Sequence, residues 1–308
     1  MALPLGINAL IMLFQKRFKA MGGPVEILIE ADERLAMRAF DLIAQRMNAL
    51  EMRYSRYSST SLVSQINGRA GTGRWTQVDQ ELMDLLDHAQ SMYQQSKGRF
   101  DLTSGVLRQC WDFKSDRIPE AKDIECIRER VDWNKVESAN KEGQWLLRLP
   151  LNGMEIDLGG IAKEFAVDEA VALLSALGIT SALVNMAGDL RVIGRRASLD
   201  PWWAGIQHPR DPDRMIAQIP LVHMALATSG DYARYLLVNG RRYCHLINAL
   251  TGWPVTYWQS ISVIAPTALG AGSCSTIAML LESDGLGFLQ ESGFRYLAIA
   301  SDGKIHSH

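Results

Sequence analysis

Five short stretches hold residue types that could do chemistry. The first is Asp157-Leu158-Gly159-Gly160-Ile161-Ala162-Lys163. A strand ending in an acid, two glycines and a helix start leave backbone N–H groups open to a phosphate. Lys163 lies one turn into that helix, on the stripe of Val167, Ala170 and Leu174. A cation on an inward stripe calls for an anion, although Asp157 as a helix cap and a snorkelling Lys163 would also fit. The second stretch is Asn185-Met186-Ala187-Gly188-Asp189 and the third is Ala227-Thr228-Ser229-Gly230-Asp231-Tyr232. Both follow strands and could line a polar pocket, and both also read as turns. The fourth is His245, one of six histidines, set among apolar neighbours after an Asn239-Gly240 turn. A histidine there serves either as a general base or as a satisfied core residue. The fifth, Gly270 to Thr276, fails as a dinucleotide fingerprint. Ser275 stands where a third glycine is needed, and no acid follows about twenty residues on in a strand.

These residues need elements to hold them. Val25–Glu30 alternates apolar and charged residues as a half-buried strand does, after the Met21-Gly22-Gly23-Pro24 turn. The spacing of Leu35, Ala39, Ile43, Met47 and Leu50 predicts a helix over 34–52. Residues 54–71 read as loop or short turns, 79–97 as a second helix stopped by Gly98, and 124–131 as a short helix. A hairpin is expected from 145–149 and 153–156. The clearest helix runs over 160–177, ended by Gly178. Strands are expected at 181–185, 190–193, 203–207, 224–228, 236–238, 261–265 and 296–300, and a last helix from about Ser275 to Leu281. Strands follow strands at least as often as they alternate with helices, which predicts α+β rather than a doubly wound parallel sheet.

The chain has 308 residues, 47% hydrophobic and 21% charged, with a net charge of −2. These are the proportions of a globular chain with ample core. With no run of one charge sign, a nucleic-acid groove or an anionic-membrane surface is not expected. Cys110, Cys126, Cys244 and Cys274 form no CxxC pair, so reduced thiols are expected rather than a zinc site. The apolar start, Met1–Phe14, is too short to span a bilayer and carries neither a basic beginning nor a lipid-attachment cysteine. A cytoplasmic protein without stable membrane insertion is expected.

Taken in order, the segments resemble the ApbE family, the FAD:protein FMN transferases, as one domain over 1–308. The matching pieces are Met21-Gly22-Gly23, Tyr57-x-x-x-Ser61-x-x-Ser64-x-x-Asn67, Phe100-Asp101-x-Thr103-x-Gly105, Asp157 to Lys163, Val184-Asn185-x-x-Gly188-Asp189, Trp203-x-Gly205-Ile206-x-x-Pro209, Thr228 to Tyr232, and His245-x-Ile247-x-x-x-Thr251-Gly252-x-Pro254-Val255. The resemblance implies an α+β fold of two mixed sheet/helix halves with FAD between them. It implies transfer of FMN from FAD to a threonine or serine hydroxyl of an acceptor flavoprotein, with Mg2+. FAD cleavage to FMN and AMP, or FAD binding without turnover, are the alternatives. By position, Met21, Tyr57, Phe100, Asp101, Asp157, Lys163 and Ile247 would line the FAD site. Gly160 and Thr276 would meet the metal through a carbonyl and a hydroxyl, and His245 would be the base.

The chain also departs from the family pattern. Gly272 stands where the metal loop usually has aspartate, and Asn248 where the histidine motif usually has a second carboxylate. Glu164 replaces a usual glycine and Leu102 a usual proline. A site short of a carboxylate is expected to hold magnesium more weakly.

Overall fold

In the computed structural model the described residues are 11–113, 115 and 117–308. The apolar opening of the chain up to residue 10, on which the reading of the N-terminus rests, lies outside them. In chain order the elements begin with strands β1 (Met12–Ala20) and β2 (Gly23–Ala31), helices α1 (Glu33–Tyr54) and α2 (Leu62–Asn67), β3 (Thr76–Val78) and α3 (Gln80–Gln95). A 3-10 helix at Leu102–Gln109 precedes α4 (Ala121–Arg128), β4 (Glu137–Lys141), β5 (Gln144–Arg148) and α5 (Ala162–Ala176). The second half carries β6 (Ala182–Met186), β7 (Asp189–Ile193), β8 (Trp202–His208), β9 (Asp211–Leu221), β10 (Ala225–Gly230), β11 (Tyr235–Val238) and β12 (Arg241–Cys244). It ends with β13 (Ile247–Asn248), β14 (Trp253–Pro254), β15 (Trp258–Ala265), α6 (Ala268–Leu281), α7 (Gly285–Ser292), β16 (Arg295–Ala300) and β17 (Ile305–Ser307).

The fold is α+β. Eight strands form one antiparallel sheet in the order β1-β2-β6-β7-β10-β15-β16-β17. Alternation decides which residues face which layer. Val25, Ile27, Ile29, Val184, Ala227, Ile261 and Val263 point into the main core, against α1, α5 and α6. Leu183, Val192, Leu226 and Ile264 point the other way and are covered by Trp202, Ala204, Ile206 and Leu221 of the β8–β9 hairpin. A smaller antiparallel sheet, β3-β5-β4, belongs to the first half of the chain.

Two tight turns close strand pairs at one end of the large sheet. Met21 (φ +51°) and Gly22 (φ +77°) join β1 to β2 as a two-residue hairpin loop of the kind that needs positive φ at both positions. Met21, which has a side chain to strain there, is held by its N–H donating to Glu51 Oε2 at 2.9 Å. Ala187 (φ +54°) and Gly188 (φ +104°) join β6 to β7 in the same way.

Several expectations need correction. The hairpin of the first half is β4–β5, and residues 153–156 lie outside it in an extended connection. The loop expected over 54–71 contains α2, capped by the Ser61 hydroxyl accepting from the Ser64 N–H at 3.0 Å. The last-named helix begins at Ala268, not Ser275. Thr267 caps it, and the Asp168 carboxylate accepts from the N–H groups of Ala268 and Leu269, both at 2.9 Å.

Candidate functional site

The sheet end marked by the two turns gathers most of the candidate residues. Asp157 arrives on an extended segment that two neighbours fix in place. Asn67 clamps the preceding residue, its amide donating to the Ile156 carbonyl at 3.0 Å and accepting from the Ile156 N–H at 2.8 Å. The Asp157 N–H donates to the Leu102 carbonyl at 2.9 Å. Gly105 allows this approach, because a Cβ there would sit 2.5 Å from the Asp157 Cβ. The Asp157 carboxylate pairs with Arg56 and accepts from the Gly159 N–H at 2.9 Å. Asp157 therefore caps the glycine turn rather than the helix. No side chain caps α5, whose N-cap is Ile161. That leaves its first turn suited to an anion.

Lys163 and its neighbours form the charged centre. Lys163 Nζ reaches Asp189 Oδ2 at 3.3 Å, with the lysine side chain 34% exposed and the aspartate 9%. Burial pulls the Lys163 amine down, but the carboxylates of Glu164 and Asp189 outweigh it and hold the amine above its ordinary value. Asp189 is pushed up by burial, offset in part by Lys163 and by the Thr228 N–H. Glu164 is buried at 6% exposure. Burial and the nearby Asp189 charge push its carboxyl up to about 8. One of its oxygens, Oε2, has no hydrogen-bond partner.

Hydroxyls complete this side. Ser229 Oγ lies 2.8 Å from Ser275 Oγ and 2.9 Å from Thr276 Oγ1. Tyr232 folds back against Gly230, where a Cβ would meet its ring at 2.5 Å, and burial together with the Asp189 charge raises its phenol.

His245 follows the β11–β12 hairpin, whose Asn239 (φ +51°) and Gly240 (φ +76°) form the turn. The residue is exposed, yet much of the protein lies close around its ring. That crowding, with the charges of Arg234 and Lys163, pulls the imidazole below its ordinary value. Its Nδ1 lies 3.2 Å from the Arg234 carbonyl oxygen. A carbonyl only accepts, so Nδ1 carries the proton and Nε2 presents its lone pair. Tyr57 is 76% exposed and stacks under the Arg56 guanidinium. The Arg56 hydrogen bond, aided by Arg234, lowers its phenol against the opposing effect of burial.

The other expected residues sit further back. Phe100 is buried, and its ring meets the space beside Gly160, where a Cβ would lie 3.3 Å away. The Asp101 carboxylate is spent internally, accepting from the Thr103 N–H at 2.7 Å, the Thr103 hydroxyl at 2.6 Å and the Trp133 N–H at 3.0 Å. Ile247 packs with the small cluster around Leu107, Trp111 and Leu236. Asn248 is buried and its Oδ1 accepts from the Leu250 N–H at 3.0 Å, an Asx turn that an aspartate would close equally well. Its amide thus serves the β13–β14 turn. The functional groups that the sequence left unassigned are Arg56, Arg234, Asp189 and Ser229. Asp189 and Ser229 lie inside motifs read as possible turns, whereas nothing in the local pattern marks the two arginines.

Hard oxygen donors suit a magnesium ion, and the hydroxyl group of three with the unpartnered Glu164 oxygen supplies them. Among the described residues no three His, Cys, Asp or Glu side chains lie close enough to hold a metal by themselves. An ion held here would need further ligands from outside those side chains. No described helix is long and apolar enough to cross a membrane.

Comparison with known proteins points the same way. Solved structures superpose over almost the whole chain. The ApbE protein of Thermotoga maritima matches with a TM-score of 0.86 at 29% identity, covering 96% of this chain and 97% of that one. The apo flavinyl transferase ApbE of Pseudomonas stutzeri matches at 0.84 and 25% identity, over 96% and 95%. The FAD:protein FMN transferase of Treponema pallidum is 30% identical over 257 residues, 79% of this chain and 70% of that one. Its counterpart in Klebsiella pneumoniae is 27% identical over 284 residues, 90% and 81%. The ApbE family pattern itself matches residues 21–298, and the chain belongs to the ApbE family.

Proposed function

We propose that this chain is an FAD:protein FMN transferase, moving FMN from FAD to a threonine or serine hydroxyl of an acceptor flavoprotein. The observation that carries the reading is the Lys163–Asp189 pair at the uncapped start of α5, with the Lys163 charge felt by a His245 whose Nδ1 is held by the Arg234 carbonyl. The relatives' named activity supports it.

A pyrophosphate concentrates negative charge, so a site for its cleavage must stabilise more charge as the bond breaks. Lys163 and the open N–H groups of α5 answer that need. The acceptor hydroxyl oxygen attacks the phosphorus borne by the FMN half, the bond from that phosphorus to the bridging oxygen breaks, and AMP leaves with that oxygen. The hydroxyl proton passes to His245 Nε2, and Nδ1–H stays on the Arg234 carbonyl. Met21, Tyr57, Phe100, Asp157, Lys163 and Ile247 line the flavin site, and Asp101 holds the Phe100 loop from behind. The Gly160 carbonyl and the Thr276 hydroxyl would hold a magnesium ion. When bound, that ion would neutralise pyrophosphate charge.

Incubation with FAD, magnesium and a threonine-bearing flavoprotein domain tests the reading. Covalent flavin on the domain with matching AMP is expected. Intact FAD across several divalent metals would overturn it.

A further inference from the structure

Glu164 and Gly272 stand on neighbouring helices and meet directly. A Cβ built on Gly272 would lie 2.6 Å from Glu164 Cγ and 2.9 Å from Glu164 Oε1. The Glu164 side chain, entering from α5, therefore occupies the space that a side chain at position 272 of α6 would fill. Gly272 precedes Thr276 by one helical turn and shares its face. The Thr276 hydroxyl in turn meets Ser229 at 2.9 Å. The glutamate thus meets α6 one helical turn before Thr276.

A buried carboxylate oxygen without a partner is costly. The nearby cation does not complete it, since Lys163 Nζ is engaged with Asp189 Oδ2 at 3.3 Å. Glu164 Oε2 is left open at 6% residue exposure, against the face of α6 that also carries the Thr276 hydroxyl. A hard divalent cation is the ligand that such a donor set takes. An aliphatic partner would leave the oxygen unsatisfied, and the ammonium of Lys163 is already in use next door.

We infer that Glu164 is the protein carboxylate for the divalent cation in this chain, delivered from α5 into the space that Gly272 leaves on α6. The inference rests on reading the site as one that cleaves a pyrophosphate with a metal. It makes Gly272 and Glu164 a matched pair: the glycine is small because the glutamate needs its space, and the site keeps one carboxylate delivered from a different helix.

The test uses the full chain with FAD and Mn2+ as the probe. Bound Mn2+ is read by loss of the free-ion electron paramagnetic resonance signal, and FAD binding in EDTA by quenching of flavin fluorescence. Glu164→Gln is nearly isosteric and replaces one buried polar group by another, so it should fold. It is expected to weaken Mn2+ binding by at least about tenfold, since even outer-sphere partners of a metal cost that much, while FAD quenching in EDTA persists. The exchanged pair, Glu164→Gly with Gly272→Asp, is expected to recover most of the lost Mn2+ affinity, which a purely structural role for Glu164 would not produce. Equal Mn2+ affinity in the parent and in Glu164→Gln, with FAD bound by both, would overturn the inference and leave the transferase reading standing. A parent chain that quenches no FAD would remove both.

Discussion

Glu164 fills the space of a side chain missing from Gly272, with its Cγ 2.6 Å from where that Cβ would stand. Adding even one methyl group there must displace the glutamate or the helix. Gly272→Ala is expected to cost on the order of 1–3 kcal/mol as overpacking. In a Glu164→Ala background the same change should cost far less, giving a clear coupling energy in a denaturant double-mutant cycle. Additive effects would mean that the two residues do not share that space.

His245 is held in one tautomer by the Arg234 carbonyl at 3.2 Å. His245→Gln is expected to lower kcat by about 10^2- to 10^4-fold, the usual worth of a positioned base, with FAD affinity little changed. A drop in FAD affinity with kcat intact would assign the ring to binding instead.

The pH profile follows from the same residue. Crowding and the charges of Arg234 and Lys163 disfavour the imidazolium, so its folded value lies below 6.5. The active form is neutral. The rate should therefore rise with pH through that lowered value on this limb. Arg234→Gln removes one cation but keeps the backbone carbonyl, so the acid limb should move towards higher pH. An unmoved limb would show that the titrating base is another group.

Lys163 is the cation between two buried carboxylates. Lys163→Met leaves Asp189 and Glu164 uncompensated, and a loss of about 2 kcal/mol is expected. This lies below the range for a fully buried pair because the lysine side chain keeps 34% exposure. FAD binding should weaken as well. Adding Asp189→Asn should return much of the stability but not the FAD affinity, which separates the structural from the binding part.

Asn248 serves its own turn, accepting from the Leu250 N–H at 3.0 Å. Asn248→Asp should leave activity and metal dependence nearly unchanged. Asn248→Ala should cost about 1 kcal/mol by leaving that donor unmade. A gain of activity in Asn248→Asp would contradict this placement.

How much could be read in advance depended on whether the signal was local. The α1 pattern and the Asn239-Gly240 turn announce themselves through periodicity and turn chemistry, and both stand as expected. β1 hid because it is an edge strand carrying charges: Lys16 turns inward, with its ammonium over the Phe40 ring and paired with Asp41. β9 hid behind two prolines and a polar run on an exposed hairpin. In the site, motif order marked Asp157 to Lys163 and His245, whose chemistry can be argued from residue type. The motifs could not separate residues that face a ligand from those that hold a loop, as Asn67, Asp101 and Asn248 do. Nor could they reveal the exchange between Glu164 and Gly272, which lie far apart in sequence and meet only through helix packing.

The central claim is tested most directly by mass spectrometry of a threonine-bearing flavoprotein domain after incubation with the full chain, FAD and magnesium, alongside the His245→Gln variant. The expected result is a domain carrying covalent FMN, with one AMP released for each FMN transferred, and little of either from the variant. An unmodified domain with intact FAD would contradict it.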